Sequence, residues 1–574
     1  MQQKKWVYKC AKLNREAVSE FASAHGMSLV MATVFLNRGI NTDEKLKKFL
    51  KKPLDCIYNP MLMPNMEKAC KRILHAIDNH EKITVYGDYD ADGVTSTAIL
   101  YTFLKELGAD VGFYIPDRFS EGYGLNIMAV NKISKSGTKL LITVDCGIVS
   151  TGEVQLAKAQ GMEVIITDHH TPQEKLPETI IVHPALADSE YPFSSLAGAG
   201  VAFKLILGLG IMTGMKSADI FNRYVGIAAI GTIADVVPLC DENRVIADRG
   251  TKALAKTENP GIKALMEIAG INTKVLTSTS LAFGIAPRIN AAGRMGSATD
   301  ALELILAKDR EDAYKKALWL DTQNRTRQAT EQKILAQALA MTEADCNFEK
   351  KKVIVLSGEG WHHGVIGIVA SRLCEKFGKP CIMLSEENGL CKGSARSISA
   401  FSMFDALLHC SDLLTKFGGH SQAAGLSLAA SDLETFSQKI NKYADSVLTE
   451  EDMIKTIEID CRINPADISM DYAAALSALE PFGEANERPV FSVCGIRAAS
   501  VGKMGADGKH LRLRIADRGR QINCAGFGMG DAADTICDGD LVDIAFCIDI
   551  NEFNGTRNVQ LLLKDIKKAA NAAS

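Results

Sequence analysis

Three short apolar segments in the first half of the sequence are each followed directly by ionisable side chains. The first segment, residues 83–86, leads into an Asp-x-Asp-x-Asp pattern at Asp88, Asp90 and Asp92. If the extended conformation continued, the three carboxylates would face one side and repel each other, and a bound divalent cation would remove that repulsion. Because isolated patterns of this kind also occur in solvated turns and at helix N-caps, both interpretations stay open for this motif alone.

The next two apolar segments end in the same way, one at Asp145 and the other at Asp168, His169 and His170. Neighbouring histidines in a strand point to opposite sides, but in the turn after a strand one can reach a metal and the other an anionic oxygen. A histidine pair alone is more often simply hydrogen-bonded. A further carboxylate, Asp235, lies at the far end of an apolar predicted helix. Together these positions supply enough ligands for two ions, with one carboxylate free to bridge them.

The elements that must position these residues follow from the pattern of the chain. From residue 82 onward, short apolar runs alternate with helical stretches, which is typical of βαβ units and a parallel sheet. In open α/β sheets, ligands bind at the carboxyl ends of the strands. The sequence therefore predicts that the ionisable clusters converge at one edge of a parallel sheet.

Composition sets the limits on the rest of the molecule. The chain has 574 residues, 47% of them hydrophobic, and its 65 basic and 69 acidic residues give a net charge of −4. A disordered or collagen-like protein is excluded, and any nucleic-acid surface must be local. The start of the sequence has no secretory signal, the Gly-rich apolar run at 198–215 is interrupted by Lys204, and the 15 cysteines show no regular spacing. We therefore expect a cytoplasmic protein with reduced thiols and no membrane span.

We predict an α/β protein made of two α/β domains joined by a long helix, followed by a β-barrel. Strand-like runs with almost no helix follow residue 457, and Asn554–Gly555 is a strong hairpin signal. The predicted regions are a helical N-terminal extension (1–80), a parallel-sheet domain (81–298), a connecting long helix (299–348), a smaller α/β domain (349–450) and the barrel (451–574).

A basic surface is predicted on the barrel. Residues 486–530 contain eight Lys and Arg residues against three acids, a local charge of +5 within a chain of −4. Arg512 and Arg514 alternate with apolar residues, so one strand face is cationic. This pattern fits either a solvated strand face or, with Lys509 and stacking by Phe527, a track for a single-stranded backbone. Sparse aromatics favour phosphate contacts, and hence steep salt dependence, over base stacking.

The motifs, taken in order, resemble a known family. The sets at 88–93, 144–147, 168–170 and 234–238 resemble the DHH phosphoesterase superfamily. The narrower resemblance is to the RecJ-type single-strand-specific exonucleases, and it is carried by Arg118–Leu125, Pro287–Met295 and Leu479–Asn486. Residues 353–448 resemble the associated DHHA1 domain through Trp361–Leu373 and Gly418–His420. The resemblance covers about residues 80–570 and implies a parallel-sheet DHH domain, a DHHA1 domain and an OB-type barrel.

The resemblance implies hydrolysis of single-stranded DNA from its 5′ end to mononucleotides, in repair and recombination, with two Mn²⁺ or Mg²⁺ ions. Asp90 and Asp145 would bind one ion, with Asp145 bridging. The second ion would be bound by Asp92, Asp145, His169 and Asp235.

Two further positions beside the ions follow from the same resemblance. His170 would face the scissile phosphate and join Asp145 and His169 as a catalytic residue, and Asp168 would orient a histidine. Where relatives have a histidine four residues before the first metal-binding aspartate, this chain has Tyr86, so Asp88 is predicted to occupy that coordination space.

Candidate residues for binding the strand lie further along the chain. Arg288, Asn290 and Arg294 surround a glycine, a composition suited to phosphate contacts, although surface arginines beside a helix cap give the same pattern. In the second α/β domain, the resemblance assigns binding of the strand's 5′ end to Arg372, Ser394, Arg396, Gly419 and His420. For His362 and His363, phosphate binding and capping of a turn are both open.

Two other functions remain as alternatives. One is a DHH-family phosphodiesterase for short oligonucleotides or dinucleotides, which does not need a barrel. The other is a non-catalytic single-strand-binding scaffold, which should have lost some metal ligands, whereas every expected carboxylate and both histidines are present here. The expected partner is single-stranded DNA, with a helicase or a single-strand-binding protein as candidates, and the expected state is a monomer.

Overall fold

A computed structural model describes residues 4–52, 54–553 and 556–569. The N-terminal elements are β1 (Lys5–Tyr8), α1 (Arg15–His25), α2 (Leu29–Asn37), α3 (Asp43–Lys51) and α4 (Met66–Asp78).

The segment predicted as one helical extension, 1–80, divides between two domains. Apolar residues of α2 and α3, such as Phe35 and Leu46, pack in the core of the C-terminal barrel, whereas Ile73 of α4 packs in the core of the first α/β domain. Strand β1 was not predicted, and it pairs in parallel with residues 456–459 just before the barrel. The N-terminal segment therefore packs against both the C-terminal barrel and the first α/β domain.

The first α/β domain contains a five-stranded sheet in the order β3-β2-β4-β5-β6, in which every pairing is parallel. Helices cover the sheet, so strands such as β2 and β4 are buried along their whole length. Its elements are β2 (Ile83–Tyr86), α5 (Ala91–Glu106), β3 (Val111–Tyr114), α6 (Ile127–Lys135), β4 (Leu140–Val144), α7 (Thr151–Ala159), β5 (Glu163–Thr167) and β6 (Ile180–Val182).

A helical layer completes this domain. Its members are α8 (Gly198–Met212), α9 (Ser217–Ala234), α10 (Asp241–Leu254), α11 (Pro260–Ile268), α12 (Ser278–Ser280), α13 (Ala286–Met295) and α14 (Ala298–Leu306). Helix α8 is buried, as its apolar sequence suggested, and its Lys204 pairs with buried Glu242 at 2.6 Å. Among the described residues, none of the helices combines the length and the apolar character that crossing a membrane would require.

The long connecting helix, α15 (Arg310–Ala344), is shorter than predicted. The expected helix at 299–348 is interrupted at 307–309, because the Asp309 side chain caps α15 by accepting a hydrogen bond from the Asp312 backbone N–H at 2.9 Å. Residues before the break form α14, which packs in the core of the first domain. At 1.5 Å per residue, α15 is about 52 Å long and can span both α/β domains.

The smaller α/β domain has a five-stranded sheet in the order β10-β11-β9-β8-β7, of which only β7 and β8 pair in parallel. Its elements are β7 (Ile354–Glu359), α16 (His363–Phe377), β8 (Cys381–Glu387), β9 (Leu390–Arg396), α17 (Met403–His409), β10 (Lys416–Gly419), β11 (Ala423–Ala429) and α18 (Leu433–Val447).

The C-terminal domain is a closed five-stranded barrel, as predicted. Strands run in the order β14-β15-β16-β18-β17, and a β14–β17 pairing closes the ring, the arrangement of an OB-type barrel. The predicted turn at Asn554–Gly555 lies outside the described residues, but the flanking strands β17 and β18 pair antiparallel. The elements are β12 (Thr456–Ile459), β13 (Cys461–Arg462), α19 (Met470–Ser477), β14 (Phe491–Met504), β15 (His510–Asp517), β16 (Arg520–Gly526), β17 (Leu541–Phe553) and β18 (Thr556–Lys568).

Candidate metal centre

The Asp-x-Asp-x-Asp motif combines a helix cap with buried carboxylates. One oxygen of Asp90 accepts hydrogen bonds from the backbone N–H groups of Asp92 and Gly93, at 2.9 and 3.0 Å, and so caps α5. The outer two members, Asp88 and Asp92, are buried. The helix-cap interpretation is therefore confirmed for Asp90, and Asp88 and Asp92 are buried carboxylates that stay candidate metal ligands.

Asp92 is held by the start of α8. Its two carboxylate oxygens accept hydrogen bonds from the backbone N–H groups of Gly198 and Ala199, at 2.6 and 2.8 Å. The unpaired N–H groups at a helix N-terminus favour a negative charge, so α8 stabilises and orients this carboxylate. Sequence reasoning did not identify this contact, because 106 residues separate Asp92 from Gly198.

Asp145 follows β4 in a left-handed backbone conformation, with φ of 60°. Such a conformation is uncommon for a residue with a side chain and is found at functional sites. Gly198 makes room for this carboxylate, because a Cβ atom there would lie 2.6 Å from Oδ1 of Asp145. Gly231 of α9 does the same for Asp92, since its Cβ would lie 2.5 Å from Oδ1.

His169 lies at the centre of the carboxylates. Its Nε2 atom is 3.1 Å from Oδ1 of Asp145 and 3.5 Å from Oδ2 of Asp235, which ends α9. It is also 3.8 Å from Oδ2 of Asp92. The sheet edge and the end of α9 thus bring together residues that are up to 143 positions apart in the sequence.

The ligand atoms form three overlapping groups, each within 4.8 Å. The groups are Asp88 with Asp90 and Asp145, Asp92 with His169 and Asp235, and Asp145 with His169 and His170. Asp145 belongs to two of the three groups, which is the position a bridging carboxylate needs.

The negative charges of the clustered carboxylates are unfavourable in the protein alone, and a bound cation would stabilise them. Burial, followed by repulsion from neighbouring carboxylates, raises the pKa of Asp92 to about 7 and that of Asp235 to about 8. For the same reasons the pKa values of Asp88 and Asp145 lie well above the usual range.

Within the described part of the chain, three buried polar atoms of the cluster have no hydrogen-bond partner: Oδ1 of Asp88, Oδ1 of Asp145 and Nε2 of His169. Burial lowers the pKa of His169 to about 3, so its imidazole is neutral and able to ligate a metal. Carboxylates and one imidazole fit Mg²⁺ or Mn²⁺, and the imidazole favours Mn²⁺.

His170 lies at the rim of the cluster and is half-buried. Burial alone would lower its pKa, but the hydrogen bond to Asp168, 2.8 Å from its Nδ1, raises the pKa to about 9. Although burial disfavours the charge on Asp168, the hydrogen bond from His170 lowers its pKa to about 2. His170 is therefore a cation near neutral pH, and its hydroxyl neighbour Tyr123 lies 3.2 Å from the ring nitrogens.

Tyr86 takes no part in the cluster. Its hydroxyl donates to the carbonyl of Gly124 at 2.8 Å, and its ring stacks on that of Tyr114. Asp88 is the residue predicted to take the place of the histidine found in relatives, and its carboxylate groups with those of Asp90 and Asp145.

The glycine at position 231 gives a first prediction. In Gly231→Ala, the added methyl group must displace the Asp92 carboxylate, so we expect Mn²⁺ affinity to fall by about 10–100-fold. Isothermal titration of the metal-free protein with Mn²⁺ measures this change. Gly152→Ala is the matched control, because a Cβ atom at Gly152 meets nothing within 4 Å. Equal affinities in the two variants would contradict the role assigned to Asp92.

A group of arginines lies beside the metal centre, between the two α/β domains. Arg294 donates to the carbonyl of Gly364 in α16 at 3.0 Å, and burial, followed by repulsion from Arg118 and other arginines, lowers its pKa to about 10. Asn290 accepts a hydrogen bond from the Ala91 backbone N–H at 2.9 Å, so α13 also contacts the Asp-x-Asp-x-Asp motif. The arginines whose charges interact with Arg294 are Arg118, Arg327 and Arg396.

Arg372 and Arg327 meet at one carboxylate. Glu331 of α15 is buried and pairs with Arg372 through one oxygen and with Arg327 through the other. Sequence reasoning named Arg118 only as part of a motif and gave it no role, and it missed Arg327 and Glu331, for which the helical spacing of four residues was the available signal.

The remaining predicted strand-binding residues differ in their surroundings. The guanidinium group of Arg288 pairs with the carboxylate of Asp321, at 2.8–2.9 Å, so its charge is already compensated within the protein. Arg396 donates to Oγ of Ser394 at 3.0 Å, beside the arginine group. Gly419 and His420 lie exposed at the turn between β10 and β11. His362 caps α16 by accepting from the Gly364 N–H at 3.1 Å.

The predicted basic face of the barrel is present. Along β15, Leu511, Leu513 and Ile515 are buried while Arg512 and Arg514 are exposed. Lys509 is also exposed, and Phe527 is 65% exposed with its ring 5.4 Å from that of His510. Charge and an aromatic side chain therefore lie together on the solvent side of the barrel.

Models of known families match three parts of the chain. The family described as "DHH family, N-terminal domain" matches residues 82–232, the "DHHA1 domain" matches 350–446 and the "RecJ OB domain" matches 459–565. The matches agree with the two α/β domains and the barrel.

Whole-chain comparisons find similar proteins. The single-stranded-DNA-specific exonuclease RecJ of Bacillus subtilis is 41% identical over 93% of this chain and 67% of its own length, and that of Escherichia coli is 32% identical over 97% and 99%. The crystal structure of RecJ from Thermus thermophilus in complex with Mn²⁺ superposes with a TM-score of 0.85 at 30% identity, over 99% of this chain and 79% of that one. The Mg²⁺ complex gives a TM-score of 0.79 over 99% and 78%.

Proposed function

The chain belongs to the RecJ family of single-stranded-DNA-specific exonucleases, and from this premise we propose that it degrades single-stranded DNA from the 5′ end to mononucleotides. It is a metal-dependent hydrolase that uses Mn²⁺ or Mg²⁺. The observation that carries the proposal is the adjacency of a buried carboxylate and histidine cluster to a group of arginines where the two α/β domains meet.

The residues that would hold two ions are those of the cluster. Asp88, Asp90 and Asp145 would bind one ion. The residues for the other are Asp92, Asp145, His169 and Asp235. When bound, such a pair supplies an activated water at neutral pH and neutralises charge on the leaving oxygen.

The chain's own cations would act on the phosphates. His170, kept protonated by Asp168, would donate a hydrogen bond to the scissile phosphate and compensate charge that develops there. Arg294, Arg372 and Arg396 would bind the phosphate at the 5′ end, because guanidinium groups match phosphate oxygens in pairs. A strand fixed at its 5′ end would place the next phosphodiester bond at the metal centre, which is the arrangement that the proposed polarity requires.

The barrel favours a polymer over a dinucleotide as the substrate. A cationic strand face with an exposed aromatic ring suits a single strand, whose bases are free to stack and whose backbone is free to follow the surface. A dinucleotide phosphodiesterase has no need of this surface.

Digestion of end-labelled strands tests the proposed function. With Mn²⁺, a 5′-labelled single strand should release labelled mononucleotide at once, whereas a 3′-labelled strand should keep its label until late in the reaction. A blunt duplex and a dinucleotide serve as controls and should be cut slowly. Early release of the 3′ label would reject the polarity, and rapid cleavage of the dinucleotide alone would favour the alternative phosphodiesterase.

Salt dependence tests the proposed track on the barrel. Each phosphate contact to a single strand contributes about 0.7 to the slope of log K against log salt concentration, so Arg512→Ala and Arg514→Ala should each reduce the slope by about that amount. Fluorescence anisotropy of a labelled oligonucleotide in EDTA measures binding. Arg557→Ala is the control, because Arg557 is an exposed barrel residue paired with Glu552. If both variants had the same slope as the unchanged protein, the DNA track would be rejected, and the exposed face of β15 would be a solvated surface only.

The cellular setting is also part of the proposal. We place the protein in the cytoplasm as a monomer; none of its 15 cysteines is paired, which supports a reducing compartment. Because the substrate is single-stranded, a reaction that separates duplex strands must precede it, and a helicase or a single-strand-binding protein is the expected class of partner.

A further inference from the structure

The loop that carries Asp235, residues 235–240, needs outside support. Val236 has φ of 58° and is 65% exposed, a left-handed conformation that is unfavourable for a β-branched side chain. Neither its backbone preference nor burial of its own side chain therefore holds the loop in place. Contacts from other residues therefore hold it, among them a hydrogen bond from Asn243 Nδ2 of α10 to the Pro238 carbonyl at 3.1 Å.

One support comes from residues 479–486, which we call the barrel-entry segment because they lead from α19 toward β14. The backbone N–H of Leu239 donates to the carbonyl of Glu484 at 2.8 Å. Gly483 packs directly on the buried Leu239 side chain, since a Cβ atom at position 483 would lie 2.6 Å from its Cδ1. The loop at residues 235–240 and the barrel-entry segment are therefore in close contact.

Arg244 fastens the same segment to α10, the helix that follows the loop. Its guanidinium group is 3% exposed and lies 3.7 Å from the centre of the Phe49 ring. It donates hydrogen bonds to the carbonyls of Leu479 at 3.0 Å, Glu480 at 2.8 Å, Pro481 at 3.3 Å and Phe49 at 3.3 Å. These carbonyls need the forked geometry of arginine, and a lysine ammonium group cannot reach all of them.

The far end of the segment is equally fixed. Asn486 is 2% exposed, donates to the carbonyls of Leu479 and Pro481 at 2.9 and 2.7 Å, and accepts a hydrogen bond from Arg38 of the N-terminal segment. The barrel-entry segment is thus a rigid unit clamped between α10 and the barrel, and not a flexible linker.

We propose that Arg244 and the barrel-entry segment are positioning elements for Asp235, so that metal binding in the first α/β domain depends on the seating of the barrel. This inference rests on the proposed role of Asp235 as a metal ligand. Its consequence is that the domain that binds the strand and the domain that cuts it share one structural support.

Two variants of the full-length protein test the proposal. Arg244→Lys keeps the charge but loses most of the clamp, and Gly483→Ala pushes the segment away from Leu239. Arg249→Lys is the matched control, because Arg249 lies on the same helix and, among the described residues, donates only to the carbonyl of Lys52, at 3.2 Å. The measurements are Mn²⁺ binding by calorimetry, oligonucleotide binding in EDTA and the Mn²⁺ dependence of cleavage.

For both variants we expect one of two Mn²⁺ sites to weaken by about tenfold or more, with oligonucleotide binding in EDTA unchanged and cleavage restored by excess Mn²⁺. Mn²⁺ affinity equal to that of Arg249→Lys in either folded variant would overturn the proposal. Weaker oligonucleotide binding at unchanged Mn²⁺ affinity would also overturn it. Failure of the proposed function looks different: the unchanged protein would then bind Mn²⁺ without cutting single strands.

Discussion

Replacing Asp145 by alanine, or by the isosteric asparagine, is expected to reduce Mn²⁺-dependent cleavage of single-stranded DNA by at least about a thousandfold. Asp145 belongs to two of the three candidate ligand groups, so under the proposed assignment its loss would remove a shared ligand from both ions. A metal pair contributes several kcal/mol to transition-state stabilisation, and about 4 kcal/mol corresponds to a factor of about 10³ in rate. Single-turnover digestion of a 5′-labelled strand measures the change.

Two further readouts separate this loss from misfolding. Oligonucleotide binding in EDTA should remain measurable, because the arginine group and the barrel are untouched. The metal-free Asp145→Asn protein should melt no lower than the unchanged protein, because one member of a mutually repelling carboxylate cluster has been neutralised. Asp188→Asn, in an exposed turn, is the control and should cleave normally. Retained cleavage by Asp145→Asn would reject the metal centre assigned here.

The second large effect is on stability in EDTA, which should fall as the pH rises from 6.5 to 8. Asp92 and Asp235, with pKa values of about 7 and 8, keep protons in the folded protein that they have already lost in the unfolded chain. His170, with a pKa of about 9, acts in the same direction, because its folded-state proton is retained above the ordinary pKa of histidine. The folded state therefore binds more protons throughout this window, and its stability decreases with pH.

The size of the effect follows from Asp235 alone. Over 1.5 pH units, one retained proton corresponds to roughly 2 kcal/mol, which is about 4–8 °C in melting temperature for a domain of this size. Mn²⁺ should abolish the decrease, because ligation replaces the protons and is strongest when the carboxylates are ionised. Asp235→Asn should show a shallower decrease in EDTA. A melting temperature that stays constant from pH 6.5 to 8 in EDTA would contradict the raised pKa values that burial and carboxylate repulsion give Asp92 and Asp235.

Local patterns in the sequence were sufficient for the fold class and for most of the candidate metal residues. Asp88, Asp145 and His169 each come directly after an apolar segment of strand length, and parallel strands necessarily present their carboxyl ends at one edge of the sheet. The alternation of Arg512 and Arg514 with buried residues likewise follows from the two-residue period of a strand. In each case the information lies within a few residues.

Boundaries and supports required the tertiary structure. Helix α4, assigned to an N-terminal extension, packs in the first α/β domain, and the long helix begins at Arg310 because Asp309 caps it. Arg288 fits a phosphate-binding motif in sequence, yet its guanidinium pairs with Asp321. A helical or charged pattern shows which face of an element is polar, but not which other element that face will meet.

Carboxylates and histidines at strand ends are local features, so their positions along the chain were enough to predict the groups of the candidate metal centre. How these groups are held depends on contacts that form only in the folded chain. Gly198 and Gly231 leave room for the carboxylates, and the start of α8 binds Asp92. Arg244, on the helix after the loop at residues 235–240, binds the barrel-entry segment. These contacts join residues from 53 to 236 positions apart, and packing, not local preference, selects them.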